Sequence, residues 1–237
     1  MKRVLSFALS LVMLMSITGG LGLTAYAGDT YYETEDNDDY SSADYVPVNS
    51  TIYGVCREYD SDWYKFTLSS SAKVNVQFSF NRADADGDWD VYLYKYDGNG
   101  DYTQLEYKDV YVYDGSYTFS SLGLPAGTYF VKVYGYNSAC GRQYSITPKC
   151  SYVSNWETEF NDEYTSADPL SMGVTRYGVC RGYDRDWYKF VLYAPSTVSV
   201  TFTHTKASAD GDWDVYLYKY KGDGEYDQLA YKDVYVS

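Results

Sequence analysis

The chain holds one histidine, His204, among 237 residues. The HExxH signature of zinc peptidases needs two, so that site is excluded. A Ser–His–Asp or Cys–His set could be built at most once. Positive charge is scarce as well: 19 Lys and Arg stand against 33 Asp and Glu, a formal net charge of −14. A surface of that sign repels nucleic acid and anionic membranes, so neither is an expected partner. No Gly-rich phosphate loop is present, and the four cysteines show no zinc-site spacing. Long apolar runs are missing beyond the N-terminus, and no stretch past it carries a helical period.

The one apolar run, Val4 to Ile17, follows Lys2 and Arg3 and leads to Ala25-Tyr26-Ala27, small residues suited to cleavage before Gly28. Residues 1–27 read as a secretory signal peptide, too short in its apolar part to span a bilayer. A secreted or cell-surface protein with no membrane span after cleavage is expected. Cleavage leaves 17 Lys and Arg against 33 acids. Export makes Cys56, Cys140, Cys150 and Cys180 disulfide candidates, with three pairings open. Cys56–Cys140 is the expected one; a loop that long would stabilise by about 4 kcal/mol on the chain-entropy account.

What the chain has is a duplication. Residues 33–112 align without a gap to 157–236, offset by 124 positions, and 50 of the 80 pairs are identical. YGVCR at 53–57 returns at 177–181, DWYKF at 62–66 returns at 186–190, and DGDWDVYLYKY at 86–96 returns at 210–220. Each unit is of ordinary domain size and too long for a solenoid repeat. The expected organisation is a polar lead at 28–32, a first domain at 33–150, a linker at 151–156 and a second copy at 157–237. The second copy stops where the first is still in progress, so it is expected to be incomplete at its C-terminus and the less stable of the two.

Period-two alternation points to strands almost throughout. Tyr64, Phe66 and Leu68 share one face, as do Val74, Val76, Phe78 and Phe80. Val91 and Leu93 alternate with Tyr92, Tyr94 and Tyr96; Tyr129, Val131 and Val133 alternate with Phe130, Lys132 and Tyr134. Tyr144 and Ile146 suggest a last strand. Asp97-Gly98-Asn99-Gly100, Asp114-Gly115 and Pro125-Ala126-Gly127 mark turns. The expected fold is all-β: two tandem antiparallel β-sandwiches of jelly-roll type, the second truncated.

Three sets of residues suggest function. Glu33, Glu35 and Asn37 fall on one side of an extended chain, with Asp38 beside them; Asp60 and Asp62 lie in the turn before Trp63. Glu157, Glu159, Asn161, Asp162, Asp184 and Asp186 repeat the set, while Asp36 becomes Phe160. Calcium takes six to eight hard oxygens, and retention of the same-side acids favours Ca²⁺ over a merely solvated segment. A second acidic turn holds Asp86, Asp88 and Asp90, repeated as Asp210, Asp212 and Asp214. It is a weaker metal candidate, because its glycine comes too early for an EF-hand and Lys95 stands at the twelfth position. The third set is aromatic. The chain has 32 tyrosines, and Tyr92, Tyr94 and Tyr96, with Tyr216, Tyr218 and Tyr220, would line an outer face if Val91 and Leu93 point inward. That ladder either stiffens the sheet or grips a polymer. Catalysis finds little support: the counterpart of His204 is Phe80, an exchange that a catalytic histidine would not tolerate.

The E-x-E-x-N-D start, the lone Gly54, Asp-x-Asp-Trp-Tyr-x-Phe, the D-V-Y-L-Y strand and L-P-A-G-T-Y-F-V-K-V together resemble the bacterial pre-peptidase C-terminal domain. That family is similar to the collagen-binding domains of clostridial collagenases. The resemblance covers nearly all of 33–150 and the available part of the repeat. It implies a jelly-roll-like sandwich without catalytic residues, an accessory to extracellular peptidases and other enzymes. It further implies calcium held between the acidic N-terminal segment (Glu33, Glu35, Asn37, Asp38) and the Asp60–Asp62 turn, with their copies. The chain departs from the family where Asp36 and Phe160 replace the usual proline, and its cysteines are not a family feature. The leading expectation is a secreted, calcium-stabilised, non-catalytic module beside an extracellular polymer or enzyme domain. The alternatives are a polymer-binding adhesion module and a fragment of an extracellular hydrolase.

Overall fold

The computed structural model describes residues 29–57, 59–81, 87–111, 113–136, 141–181, 184–204 and 211–235. The expected signal peptide, Asp86, Asp210 and Cys140 lie outside them. Among the described residues all regular elements are strands: β1 (Thr30–Tyr32), β2 (Asp44–Tyr45), β3 (Thr51–Val55), β4 (Ser61–Leu68), β5 (Ala72–Phe80), β6 (Asp88–Gly98), β7 (Asp101–Tyr111), β8 (Ser116–Thr118), β9 (Leu122–Leu124), β10 (Gly127–Gly135), β11 (Gln143–Ser151), β12 (Asp168–Pro169), β13 (Tyr188–Lys189), β14 (Asp212–Gly222) and β15 (Glu225–Tyr235). No helix among the described residues is long and apolar enough to cross a membrane.

The first copy is a two-sheet sandwich. One sheet runs β1-β3-β11-β5-β8, with β9 also on β5; the other runs β2-β4-β10-β6-β7. Alternation places Tyr64, Phe66, Val74, Val76, Phe78, Val91, Leu93, Val131 and Ile146 in one core, each at most 1% exposed. The outward partners, including Tyr92, Lys132 and Tyr134, are half-buried. Fully burying one such Leu or Phe contributes about 1.5–3 kcal/mol. Three strands, β7 to β9, occupy the stretch between Asn99 and Pro125, where the sequence reading names none. Strand β7 is a sheet edge whose side chains are largely polar and exposed, so it lacks the apolar stripe by which a strand is read.

The second copy repeats the first copy's element positions in reduced form. Residues 168–169 pair in parallel with 188–189, as Asp44–Tyr45 pairs with Tyr64–Lys65, and Trp156 bridges Tyr177 as Tyr32 pairs with Tyr53. In the first copy β10 joins β4 to β6, and β11 joins β3 to β5. The described residues of the second copy contain no equivalent of either, and its sheets are two-stranded. Two compact units result, one up to Phe190 and one from Val191 onward. Within the latter, β14 and β15 form an antiparallel hairpin. His204 stacks on Trp213 at 4.7 Å between ring centroids, as Phe80 meets Trp89 at 4.4 Å. The histidine fills the place of a phenyl ring.

Candidate metal centre

The lead to the first sandwich is held by its backbone. Glu33 N–H donates to Tyr53 O (2.9 Å), Trp63 N–H to Asn37 O (2.9 Å), and Thr34 N–H to the Asp44 carboxylate (2.6 Å). This lays the acidic segment beside the turn that starts β4. Oxygens of Glu35, Asp60 and Asp62 come within 4.8 Å of one another, the one such group of three acidic, Cys or His residues among the described residues. The Asp60 carboxylate closes the turn by accepting Arg57 N–H (2.9 Å) and Ser61 N–H (3.0 Å). Asp38 lies beside it, its carboxyl raised first by its contact with Asp60.

Two oxygens in this region lack any partner. Asn37 and Asp62 are each 0% exposed. Asn37 turns its Nδ2 toward Asp44 (3.4 Å), which leaves Oδ1 buried and unpaired, and Asp62 Oδ1 is buried and unpaired too. Orphaned buried oxygens are costly, by about 1–3 kcal/mol or more each. A hard cation satisfies such atoms and removes the repulsion among the carboxylates, so the donor set fits Ca²⁺.

Glu33 is placed differently. Its Oε1 accepts Val55 N–H (2.6 Å) and its Oε2 accepts the Tyr64 hydroxyl (2.6 Å). It is a tie between lead and body. Gly54 makes room for it: a Cβ there would strike the Tyr64 hydroxyl and Glu33 Oε2, and would lie 2.6 Å from the Tyr144 hydroxyl. Beyond Tyr64 the chain continues, with Tyr64 Oη 2.6 Å from Tyr144 Oη and Tyr144 against Asp62 Oδ2. Tyr64 donates to Glu33 and Tyr144 to Asp62, so the two hydroxyls join both carboxyl groups in one run of oxygens. Burial pushes Asp62 up to about 8, with help from the nearby Glu33 and Asp60 charges.

The second copy builds the same lead. Glu157 accepts Val179 N–H (2.5 Å) and the Tyr188 hydroxyl (2.8 Å), and Trp187 N–H donates to Asn161 O (2.9 Å). Asn161 Oδ1 and Asp186 Oδ1 are again buried without a partner. Burial raises Glu159 to about 8 and Asp186 to about 7, and Asp162 is raised for the same first reason. Asp184 closes its turn on Arg181 N–H (3.1 Å). Glu159, Asp184 and Asp186 do not converge as the first set does, and Arg181 Nη2 stands 3.6 Å from Glu159 Oε1.

The other expected sites fare variously. Asp88 and Asp90 lie on β6, and Asp90 accepts the hydroxyls of Tyr92 (3.2 Å), Tyr107 (2.7 Å) and Tyr136 (3.0 Å). It organises tyrosines, and among the described residues it is not grouped with other acids as a cage. Asp214 does the same for Tyr216 (3.4 Å) and Tyr231 (2.6 Å), with Asp212 two residues before it on β14. Cys56 is a free buried thiol whose Sγ lies 3.6 Å from Asp62 Oδ2, and its expected partner Cys140 lies outside the described residues. The pocket is apolar and acidic together, which keeps that thiol protonated.

The tyrosine ladder does face outward. Tyr92, Tyr94 and Trp63 form a near-parallel stack, with 5.8 and 5.6 Å between centroids and 9° and 17° between planes. Tyr40 packs over Trp63, Tyr96 and Phe130, so one end of the ladder belongs to a small second core. Tyr218 stacks on Tyr216 in the hairpin, and Tyr220 is 59% exposed.

Residues 60–135 match the model of the bacterial pre-peptidase C-terminal domain, in accord with the motifs. Among solved structures, the chain is similar to the pre-peptidase C-terminal domain of collagenase from Bacillus anthracis. Identity is 20%, coverage is 45% of this chain and 94% of that one, and the TM-score is 0.35. It is also similar to a mitogen derived from Yersinia pseudotuberculosis, at 12% identity, with 46% of this chain and 88% of that one covered and a TM-score of 0.33. No curated protein matches the chain.

Proposed function

We propose, from the match of residues 60–135 to the bacterial pre-peptidase C-terminal domain, that this chain is a secreted, non-catalytic accessory module whose first acidic cluster holds Ca²⁺. Its modules are 33–150 and 157–237, joined at 151–156. Export rests on the Lys2-Arg3 start, the apolar run and the cleavage site before Gly28. The calcium reading is carried by one observation: two fully buried oxygens without partners, Asn37 Oδ1 and Asp62 Oδ1, beside the Glu35–Asp60–Asp62 group. Glu35, Asn37, Asp60 and Asp62 would hold the ion, with Asp38 at the rim. Glu33 keeps the lead on the body through Tyr64. The bound ion supplies positive charge that fastens the acidic lead to the β4 turn, so the module gains rigidity and performs no reaction.

Melting the protein in calcium and in chelator tests this. Calcium should raise the first module's transition, and Asp62→Asn should abolish the response. An identical melt in both solutions removes the ion from the account.

The outward, near-parallel Tyr92 and Tyr94 rings favour a second reading, an aromatic contact surface for an extracellular polymer. Retention on insoluble collagen, cell wall or polysaccharide, lost on replacing Tyr92 and Tyr94 with Ser, supports it. Retention unchanged by that replacement places binding elsewhere.

A further inference from the structure

The second copy's lead rests on the first copy. Glu159 N–H donates to Gly123 O on β9 at 2.6 Å. A Cβ on Gly123 would collide with the Glu157 carbonyl oxygen, and would lie 2.7 Å from that carbonyl carbon and 3.0 Å from Trp156 Cδ1. Gly123 needs no left-handed backbone, since its φ is outside that range. What requires a glycine is the approach of the Glu157 main chain. Around this contact, Lys73 Nζ sits 3.8 Å from the centroid of the Trp156 ring and Lys95 Nζ 5.4 Å from that of Phe160. Arg181 Nη1 donates to Leu105 O (2.9 Å) and lies 3.3 Å from Glu106 Oε1, while its Nη2 faces Glu159.

The same positions in the first copy have no such duty. Tyr32, the counterpart of Trp156, is 70% exposed. Asp36, the counterpart of Phe160, is exposed, and the Arg57 side chain is 68% exposed. Trp156 and Phe160, where the first copy has Tyr32 and Asp36, thus place larger, more apolar rings where the second copy meets the first. Arg181 pairs with Glu159 as Arg57 does with Glu35, and has Leu105 and Glu106 as additional partners. Contact also deepens burial: Glu157 and Glu159 are 2% and 4% exposed, whereas Glu33 and Glu35 are only half-buried.

We infer that β9 and the Leu105–Glu106 segment of β7 form a docking edge, and that its partner is the N-terminal segment of the following copy. That partner is an acidic segment with an aromatic residue at each end of its core (Trp156 and Phe160). It sits over a glycine and is latched by an arginine. The joint between the copies is a built interface, and Gly123 and Glu106 are its receptor residues.

Hydrogen exchange on the full chain, in chelator throughout, tests the joint apart from any ion. Gly123→Val should speed exchange of the Glu157, Glu159 and Tyr177 amides by about tenfold or more while β10 stays protected. Unchanged exchange at those amides in a folded variant overturns the inference. If β10 also opens, Glu106→Gln decides, since it adds no bulk. It should accelerate exchange at 177–181 by roughly threefold, and no acceleration there overturns the inference.

Discussion

The sequence DWDVYLYKY occurs in β6 and again in β14, and the two hairpins that carry it share their local structure. In both, a left-handed turn closes the hairpin: Gly98, Asn99 and Gly100 have φ of 96°, 55° and 90°, and Gly222, Asp223 and Gly224 have 102°, 51° and 81°. Glycine and Asx residues reach that region at least cost. The register shifts also recur, between Leu93 and Tyr94 and between Leu217 and Tyr218. Burial does not recur. Trp89, Val91 and Leu93 are at most 1% exposed, because an opposing sheet covers them. Trp213, Val215 and Leu217 are only half-buried. Turn chemistry and cross-strand pairing therefore suffice to shape a hairpin, while the energy of a core comes from what is packed against it.

The sharpest break in this comparison is a matched truncation. Leu93→Ala should cost about 2–5 kcal/mol, whereas Leu217→Ala should change stability by only about 0.5 kcal/mol, both read from urea unfolding. Equal costs would mean that the second hairpin is buried in solution. Next in size is the hydroxyl tie. Tyr64→Phe strips a partner from both Glu33 and Tyr144 and should cost about 1–3 kcal/mol. Tyr188→Phe, which strips one from Glu157 alone, should cost about 0.5–1.5 kcal/mol.

The two acidic clusters give a smaller contrast. A calcium titration should find the first cluster tighter, because the Arg181–Glu159 pair is the more buried, while the equivalent Arg57–Glu35 pair, at 3.4 Å, has its arginine mostly exposed and screened. Arg181→Gln should raise calcium affinity at the second cluster, about two- to tenfold if it removes roughly 0.5–1.4 kcal/mol of competition. Arg57→Gln, in which the lost side chain was mostly exposed, should change the first cluster less.

The smallest effect is on phenol ionisation. Burial and the Asp90 charge push Tyr92 up to about 12. A phenol raised in the folded state contributes stability that is present below about pH 10 and lost as pH rises through about 12. Asp90→Asn should shift tyrosinate absorbance to lower pH. Asp214→Asn should do the same for the hairpin, chiefly through Tyr231, which its hydrogen bond to Asp214 raises. An unmoved titration in Asp90→Asn would remove Asp90 as the organiser of those rings.

Much of the acidic cluster was legible because its parts are close in sequence and written twice. Glu35, Asn37, Asp60 and Asp62 follow from two-residue spacing and a turn. Glu33 was legible as a same-side acid but not as a tie, because its partners depend on where Tyr64 points and on the room that Gly54 leaves. Tyr144, 82 residues from Asp62, carries no local mark of its role. Gly123 reads like a loop glycine until the Glu157 backbone is seen against it.

Periodicity and turn residues by themselves determined an all-strand chain, the paired copies, the inward face of each main strand and the acidic character of the lead. These are properties of a residue and its near neighbours, so they survive in β14 without a full sandwich. Only the tertiary structure decided which hairpin is buried, which glutamate is a tie and which faces the cluster, and that the Glu157–Glu159 backbone lies against Gly123. Burial and hydrogen-bond partners come from segments distant along the chain, and their free energy exists only once those segments have met.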